Sequence, residues 1–479
     1  MRKISLVAAL GVVAGLIGAC DEKTCDDTLT CNGASDADGS TPPTCKGAPK
    51  DDPSCVSDAA GVFVSAAGDD AAAGTKSAPV KTLSAALGKR GAKKSVFVCE
   101  GIYAETLTLG ASENGLGVYG GFGCADWAYT GVKPVIGASS GLKVDGITSG
   151  ATFSDVQFVA ADAVEDGASS IAATVSNSSG IVFERVSFKA GAGKTGTAGI
   201  AGATAASDKA LAGDSAIGPT PAPSRVCKCI ASGVTVGTST GGGGGIPNGG
   251  GAGGEPLITP PTPSGATGAP GGGAVTKCSP SGFGADGSDA PAGIDASKSD
   301  LIGTLEAYAW MPRRGADAEI GKTAQGGGGG SGISGGGAGG AGGCGGCPGL
   351  AGTGGAGGGS SLALVTAGST LSFRDSEFAP SNAGDGGNGG AGGMGAIGGI
   401  GGSGASGGCG AGNGGKGGDG GAGAGGAGGL SVGVLYTGSA PTLTNTTVAL
   451  GKPGLGGKGG KPGVNDGLNG VAQDVFEAK

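Results

Sequence analysis

The sequence predicts an all-β solenoid interrupted by long glycine-rich insertions. Three observations carry that prediction. A pattern of two short strands recurs four times, as Phe153-Ser154-Asp155-Val156-Gln157-Phe158, Phe183-Glu184-Arg185-Val186-Ser187-Phe188, Phe373-Arg374-Asp375-Ser376-Glu377-Phe378 and Leu443-Thr444-Asn445-Thr446-Thr447-Val448. A further apolar strand start stands eleven or twelve residues ahead of each copy, at Leu142, Ile171, Leu362 and Val432. Glycine supplies 118 of 479 residues and aromatics only 4%, so most of the chain lacks the bulk for an ordinary core, and the phenylalanines of the copies mark where one lies. Strand units repeated along a chain describe successive coils of a solenoid.

The spacing between copies locates the insertions. Phe153 and Phe183 are 30 residues apart, whereas Phe183 and Phe373 are separated by 190 and Phe373 and Leu443 by 70. With repeat units of about 20–45 residues, neighbouring coils would carry inserts in those two gaps, and glycine-rich tracts 191–359 and 381–429 fill them. The second tract runs in triplets, Gly384-Asp385-Gly386, Gly387-Asn388-Gly389, Gly390-Ala391-Gly392 and Gly393-Met394-Gly395, with few breaks to about residue 411. Period three belongs to the polyproline II helix, and glycine at two positions in three lets such helices pack closely. Collagen is excluded, because 384–429 contains no proline. Composition alone also permits a flexible glycine linker, so packed polyglycine II and a mobile tract both stay open at this stage.

The chain begins with Arg2-Lys3, a largely apolar stretch from Ile4 to Ile17, and Gly18-Ala19-Cys20. That order describes a secretory signal, and the stretch is short for a spanning helix. Ile17-Gly18-Ala19-Cys20 resembles the lipobox of bacterial lipoproteins. The resemblance implies cleavage after residue 19, acylation of Cys20 and a membrane-anchored lipoprotein of the cell envelope, at the outer membrane or cell surface. Asp21 is the one residue that argues for inner-membrane retention, as in enteric bacteria. Residues 1–19 are then the signal peptide and 20–58 an acidic, cysteine-containing linker. Residues 21–58 hold nine acids against Lys23, Lys46 and Lys50, in a chain of net charge −8. Such a segment is a solvated spacer, and nucleic acid is excluded as a partner.

Order is expected from Val62-Phe63-Val64. Leu83, Ala86 and Leu87 stand at helical spacing, and Val96-Phe97-Val98-Cys99 and Leu107-Thr108-Leu109 read as strands. These elements resemble the opening of non-enzymatic members of the pectate-lyase-like superfamily. The matching residues are Gly74-Thr75, Pro79, Thr82-Leu83, Ala86-Leu87, Val96 with Val98, and Gly101-Ile102-Tyr103-Ala104-Glu105, followed by Val118-Tyr119-Gly120-Gly121-Phe122 and Trp127. The resemblance covers roughly 62–195 and implies a right-handed parallel β-helix of a surface type with no activity attached. The expected plan is a cap and first coils over 59–195, a Gly/Pro-rich insertion over 196–359, and a coil over 360–380. A triplet-repeat insertion over 381–429, a coil over 430–450 and a tail over 451–479 complete it.

The chain has no histidine, which removes Ser-His-Asp and Cys-His catalysis and His-ligated zinc. Across the four copies one position reads Asp155, Arg185, Asp375, Asn445. Coils about 4.8 Å apart would set Asp155 and Asp375 about 10 Å apart, beyond the ~5–5.5 Å or ~6.5–9.5 Å of paired glycosidase acids. Arg185 between them would hold both ionised, so a charge-balanced ladder is expected, not a catalytic pair.

Thirteen cysteines, less Cys20 for lipid, leave an even number in an oxidising compartment. Cys99, Cys124, Cys227, Cys229, Cys278, Cys344, Cys347 and Cys409 are candidate disulfide residues. Cys344-Gly345-Gly346-Cys347 has no helix start to activate a thiol and reads as a staple in which Cys409 can take part. Cys227-Lys228-Cys229 reads the same way, with Cys278 as candidate partner. Gly191-Ala192-Gly193-Lys194-Thr195 fails as a phosphate loop because Phe188 replaces the first glycine. Gly414-Gly415-Lys416-Gly417-Gly418-Asp419 begins a calcium repeat that occurs once only.

No catalytic residue, metal or cofactor is therefore expected. The expected function is a structural or adhesive role at the cell surface, without catalysis. Its partners would be the membrane through Cys20, and extracellular polysaccharide or cell-surface proteins. The alternatives are a polysaccharide lyase or hydrolase, or a glycan-binding module in which Tyr119, Trp127 and Tyr129 stack on sugar rings.

Overall fold

A computed structural model describes residues 47–255, 269–306 and 309–478. Residues 61–478 contain three long sheets whose strand pairs are all parallel. A typical coil takes Ala151–Ser154 into the first sheet, Gln157–Val159 into the second and Ser170–Ser176 into the third. The corner between first and second sheets is a two-residue turn. Its first residue is left-handed in four coils, with φ of 55° at Asp155, 52° at Arg185, 51° at Asp375 and 49° at Asn445. Asp and Asn tolerate that region through local hydrogen bonding; Arg185 is the departure from the rule. The signal peptide and Cys20 lie outside the described residues.

Phenylalanine stacks hold the coils in register. Phe183 pairs with Phe153 on one side and Phe373 on the other, and Phe373 with Leu443. Ring centroids along this row are 5.0 and 4.9 Å apart, and Phe158, Phe188 and Phe378 form a second row at 5.7 and 5.2 Å. Residues 190 apart in sequence thus lie on adjacent coils, as the repeat spacing predicts, and the fold is the expected parallel β-helix. The N-terminal end is closed by the helix Leu83–Lys89, whose Thr82 side chain accepts from the Ala85 amide while Leu83 and Ala86 face the core. Glu105 accepts from the next two free amides, of Leu83 and Ser84, satisfying donors a helix start leaves orphaned.

The glycine-rich segments leave from one corner. Residues 190–360, 380–430 and 449–471 each depart from a strand of the second sheet and return to a strand of the third. Their backbone hydrogen bonds advance in steps of three. Gly346, Gly349, Gly352, Gly355 and Gly358 donate to the carbonyls of Gly415, Gly418, Gly421, Ala424 and Ala427 in parallel. Gly387, Gly390 and Gly393 donate to Ala356, Thr353 and Leu350 in antiparallel fashion. A three-residue repeat joined laterally by main-chain bonds is polyglycine II packing, and it decides between the two readings left open by composition. Segment 338–359 lies inside, bonded to 192–216, 384–405, 409–429 and 315–332.

Glycine is required there for approach, not for φ. A Cβ on Gly352 would meet the carbonyl of Gly390, and one on Gly346 that of Ala396, closer than the 3.0 Å that real Cβ atoms keep. The middle residue of each triplet points out, so Asp385, Asn388, Ala391, Met394, Ile397, Ile400 and Ser403 form one exposed row.

Two boundaries are corrected. The expected tail 451–479 instead supplies further polyglycine packing and the strand Ala472–Glu477, which pairs with Ser431–Thr437 at the edge of the third sheet. The last part of the expected linker, from residue 47, packs on the first sheet, and Pro53–Cys55 forms a 3-10 turn. The 196–359 insertion contains the hairpins Arg225–Ala231/Val234–Gly241 and Gly303–Glu306/Ala309–Pro312. For Ala472–Glu477 a backbone ladder already in place accepts a segment whose own apolar pattern is weak.

Gly352→Ala is expected to cost about 1–3 kcal/mol, the usual range for overpacking, whereas Ala391→Val on the exposed row stays within about 0.5 kcal/mol. Denaturant titration of the two variants checks this, and equal effects would contradict close helix packing.

Candidate functional site

The carboxylates of the coil corner are committed to structure. Arg185 donates through Nε and Nη2 to the two oxygens of Asp155, each at 2.8 Å, and the Tyr129 hydroxyl adds a third bond at 2.9 Å. Asp155 is buried at 4% exposure, and its hydrogen bonds are the main cause of a raised Arg185 pKa. Asn445 donates to Asp375 at 3.3 Å. The expected four-membered ladder is therefore corrected to two pairs, Asp155 with Arg185 and Asp375 with Asn445. The guanidinium fork binds Asp155 bidentately and turns its remaining Nη1 to Glu184 at 3.6 Å, so the link to the next coil runs from Glu184 to Arg374 at 3.5 Å and not to Asp375. Asp155 thus accepts three hydrogen bonds and Asp375 one.

Of the three aromatic residues expected to meet sugar rings, Trp127 is buried in the cap. It stands edge-on to Phe63 at 4.7 Å and donates its indole N–H to the Lys76 carbonyl. Tyr119 is half-buried against Phe97, and Tyr129 is partly exposed but turned onto Asp155. They do not form a platform.

A groove of about 550 Å³ lies on the outer face of the third sheet. Its floor is the in-register row Thr108, Lys143 and Thr174 from three coils, with Ile171, Asp145 and Ser176 beside it. Its end wall is the hairpin Gly303–Glu306/Ala309–Pro312. That hairpin covers the later coils because Trp310 packs on Leu362, Val365, Val432 and Leu435, leaving the earlier coils open. Asp145 is occupied by Ser176 at 2.7 Å and Asn177 at 3.0 Å. Lys143 is exposed and has no carboxylate partner among the described residues. An unpaired ammonium among hydroxyls can bind a hydroxylated, anionic ligand. No sequence signal marked this groove, because its wall comes from a hairpin inside an insertion.

The cysteines staple the bundle. Cys99 pairs with Cys124, Cys227 with Cys344, Cys229 with Cys347, and Cys278 with Cys409. Cys227 and Cys229 thus bind the Cys344-Gly-Gly-Cys347 pair, a connectivity the sequence left open, and the roles foreseen for Cys278 and Cys409 are corrected: they pair with each other. The strand Arg225–Ala231 presents Cys227 and Cys229 on one face at period two, and the polyglycine helix presents Cys344 and Cys347 on one edge at period three.

Acids on the bundle surface act as acceptors for amides of the neighbouring helix. Asp286, Asp289 and Asp295 accept from Asn413, Lys416 and Ala422, and Asp385 from Leu455. Asp419, in the rejected calcium motif, accepts from Gly395 and pairs with Lys416 at 2.9 Å. Among the described residues no group of three or more His, Cys, Asp or Glu side chains could hold a metal. Backbone amides pull the carboxyls of Asp295, Asp317 and Asp419 below the usual range, and amides of Gly459 and Gly463 pull Asp466 down to about 2.

These depressed values stabilise the fold above the unfolded aspartate value of about 3.9. The contribution is lost as pH falls through the folded value, about 2 for Asp466. Protection of the amides in 451–470, measured against their intrinsic exchange rates, is expected to fall on acidification from about pH 4 towards pH 2, and Asp466→Asn to remove part of that dependence. Exchange measured across the range checks it; an unchanged profile in the variant would contradict the assignment.

A family model described as "Protein of unknown function (DUF1565)" matches residues 66–108, from the cap to the first strand of the third sheet. That family is associated with right-handed β-helices. No curated protein and no solved structure matches the chain.

Proposed function

We propose that this chain is a cell-envelope surface protein, anchored through lipid on Cys20, with a structural or adhesive role and no catalysis. The polyglycine bundle is the observation that carries the reading. Its stability comes mainly from main-chain bonds, so outward side chains such as Ala391, Met394, Ile397 and Ile400 are available for display. A rigid display surface suits adhesion, where binding costs fall if the binding face is already ordered. The Asp155 carboxylate at the coil corner is saturated by hydrogen bonds, which argues against hydrolysis or elimination there.

The groove on the third sheet favours a second reading, a glycan-binding module for acidic polysaccharide. Lys143 would meet a uronate carboxylate and Thr108 and Thr174 the ring hydroxyls, without turnover.

Cys20→Ala is expected to move the protein from the detergent phase to the aqueous phase on phase partitioning; equal partition of both forms would overturn the anchor. The purified mature chain would also be incubated with polyuronates and neutral exopolysaccharides, recording retained protein and newly formed chain ends. Retention on polyuronate that falls at least tenfold in Lys143→Ala, with no new ends, supports the binding reading. New ends that survive repurification and vanish in Asp155→Asn would overturn the non-catalytic reading.

A further inference from the structure

The groove on the third sheet is open along three coils and shut at the fourth. In register its floor reads Thr108, Lys143, Thr174, Val365, Leu435 and Phe476. Thr108 and Lys143 are exposed and Thr174 is half-buried, but Val365 and Leu435 are fully buried. The neighbouring row repeats the change, from half-buried Ile171 to fully buried Leu362 and Val432. The hairpin Gly303–Glu306/Ala309–Pro312 closes both rows. Its Trp310 and Leu305 pack on the buried side chains, and its Ala309 lines the groove. The floor therefore turns from hydroxyl and ammonium to aliphatic at the coil where the hairpin lands, as burial there requires. The closure is written into the coils themselves.

The charges around the groove are unevenly placed. Lys143 stands on the middle open coil. Asp145 beside it is held by Ser176 and Asn177. Glu306 lies across the hairpin from Ala309 and accepts from Thr304 at 3.1 Å, so the end wall carries an acid. A peptide strand is disfavoured as occupant, because strand addition needs a free sheet edge and this floor is the middle of a paired sheet. A hydroxylated anionic chain suits Lys143 between two threonines.

Such a chain has no path past the wall. Continuing along the sheet, it would leave the floor after Thr174 and carry its next carboxylates over Glu306. A chain that stops at the wall meets neither obstacle. The open floor from Thr108 to Thr174 spans two coil spacings, about 10 Å. Its volume of about 550 Å³ is that of a small-ligand site, about 300–1,000 Å³. A terminal sugar also bears a hydroxyl that an internal one has given up to its glycosidic bond. On the last open coil the Thr174 and Ser169 hydroxyls line the groove. Ser169 accepts the Ser360 amide at 2.9 Å, which leaves its O–H able to donate.

We propose that this groove recognises the end of an acidic polysaccharide chain, with the terminal sugar lodged against the Gly303–Glu306/Ala309–Pro312 hairpin and a nearby carboxylate on Lys143. The proposal rests on the glycan-binding reading and specifies it, since binding then counts chain ends and not length of polymer.

The purified mature chain would be titrated calorimetrically with short and long fragments of one polyuronate. The dissociation constant per chain is expected to stay within twofold across the series, and Lys143→Ala to weaken every member at least tenfold. Two further sets modify one end each, by reductive amination of the reducing end with a bulky amine, or by lyase cleavage that leaves an unsaturated sugar at the other. One modification is expected to weaken binding at least tenfold and the other to leave it unchanged, which names the end that enters. Affinity per chain that rises with the number of internal sugars overturns chain-end recognition but leaves glycan binding standing. So does affinity that survives both modifications. Binding that ignores Lys143→Ala places the ligand elsewhere and overturns the proposal, and absence of binding to every fragment overturns the glycan-binding reading with it.

Discussion

Everything in this molecule depends on one lateral interaction, the main-chain N–H···O=C bond between neighbouring chain segments. Within the coils it joins parallel strands at the usual ~4.8 Å spacing. At the corner between second and third sheets it does not stop. Ala190 donates to Ala379, Gly193 to Asn382 and Gly196 to Asp385, while Ala383 donates to Lys452 and Gly386 to Leu455. The outgoing polyglycine segments thus inherit the order of the coils that launch them. The returning segments keep that order too, since Gly358 donates to Ala427 and Gly428 to Leu468. The bundle is one corner of the β-helix opened into layers, and stacking of the coils fixes which glycine helix lies beside which.

That geometry explains the composition. Bonds on several sides of one helix bring neighbouring backbones so close that a Cβ on the inner positions would collide with a carbonyl oxygen. Glycine is costly to order, so the arrangement needs compensation from elsewhere. Cross-links supply part of it. The staples Cys227–Cys344, Cys229–Cys347 and Cys278–Cys409 close loops of 117, 118 and 131 residues. In the chain-entropy account a loop near 100 residues gives about 4.7 kcal/mol, and overlapping loops give less than the sum. The aspartates contribute as well, because each accepts an amide that the neighbouring helix leaves without a carbonyl, at the edges where no further helix packs.

Much of this was legible in the residues. Phenylalanine copies with incommensurate gaps revealed both the coils and the insertions, because a core needs bulk and only those positions have it. The triplets gave the period of the bundle but not its order, since a flexible tract has the same composition; only bond partners far apart in sequence separate the two. The strand Ala472–Glu477 escaped notice because its acceptor, Ser431–Thr437, is supplied by another part of the chain. Cys278 and Cys409 could not be paired from spacing because their contact depends on how 269–284 lies on 408–412. Arg185 at a left-handed corner was hidden for a different reason. Its side chain is fixed by Asp155 one coil away, and that bond overrides a local preference for Asn or Asp.

The division of labour between backbone and side chain bears on function. In an ordinary globular domain a surface residue is constrained by the core beneath it, so a binding face and a stable fold compete for the same positions. Here the bundle is held by glycine backbones and by a few outward side chains such as Asp385 and Asn388, which accept amides of the neighbouring helix, while the remaining outward members carry little structural load. The row from Asp385 to Ser403 changes from acid to amide to aliphatic over a few turns while the hydrogen-bond ladder behind it continues unbroken. Such a surface can be rewritten one triplet at a time without disturbing its neighbours. The coil corner is the opposite case, where Asp155 is held by Arg185 and Tyr129 and can hardly vary alone. Chemistry that needs a few convergent groups has little purchase on a flat glycine face, whereas contact with an extended surface needs only that the face be rigid and its side chains point one way.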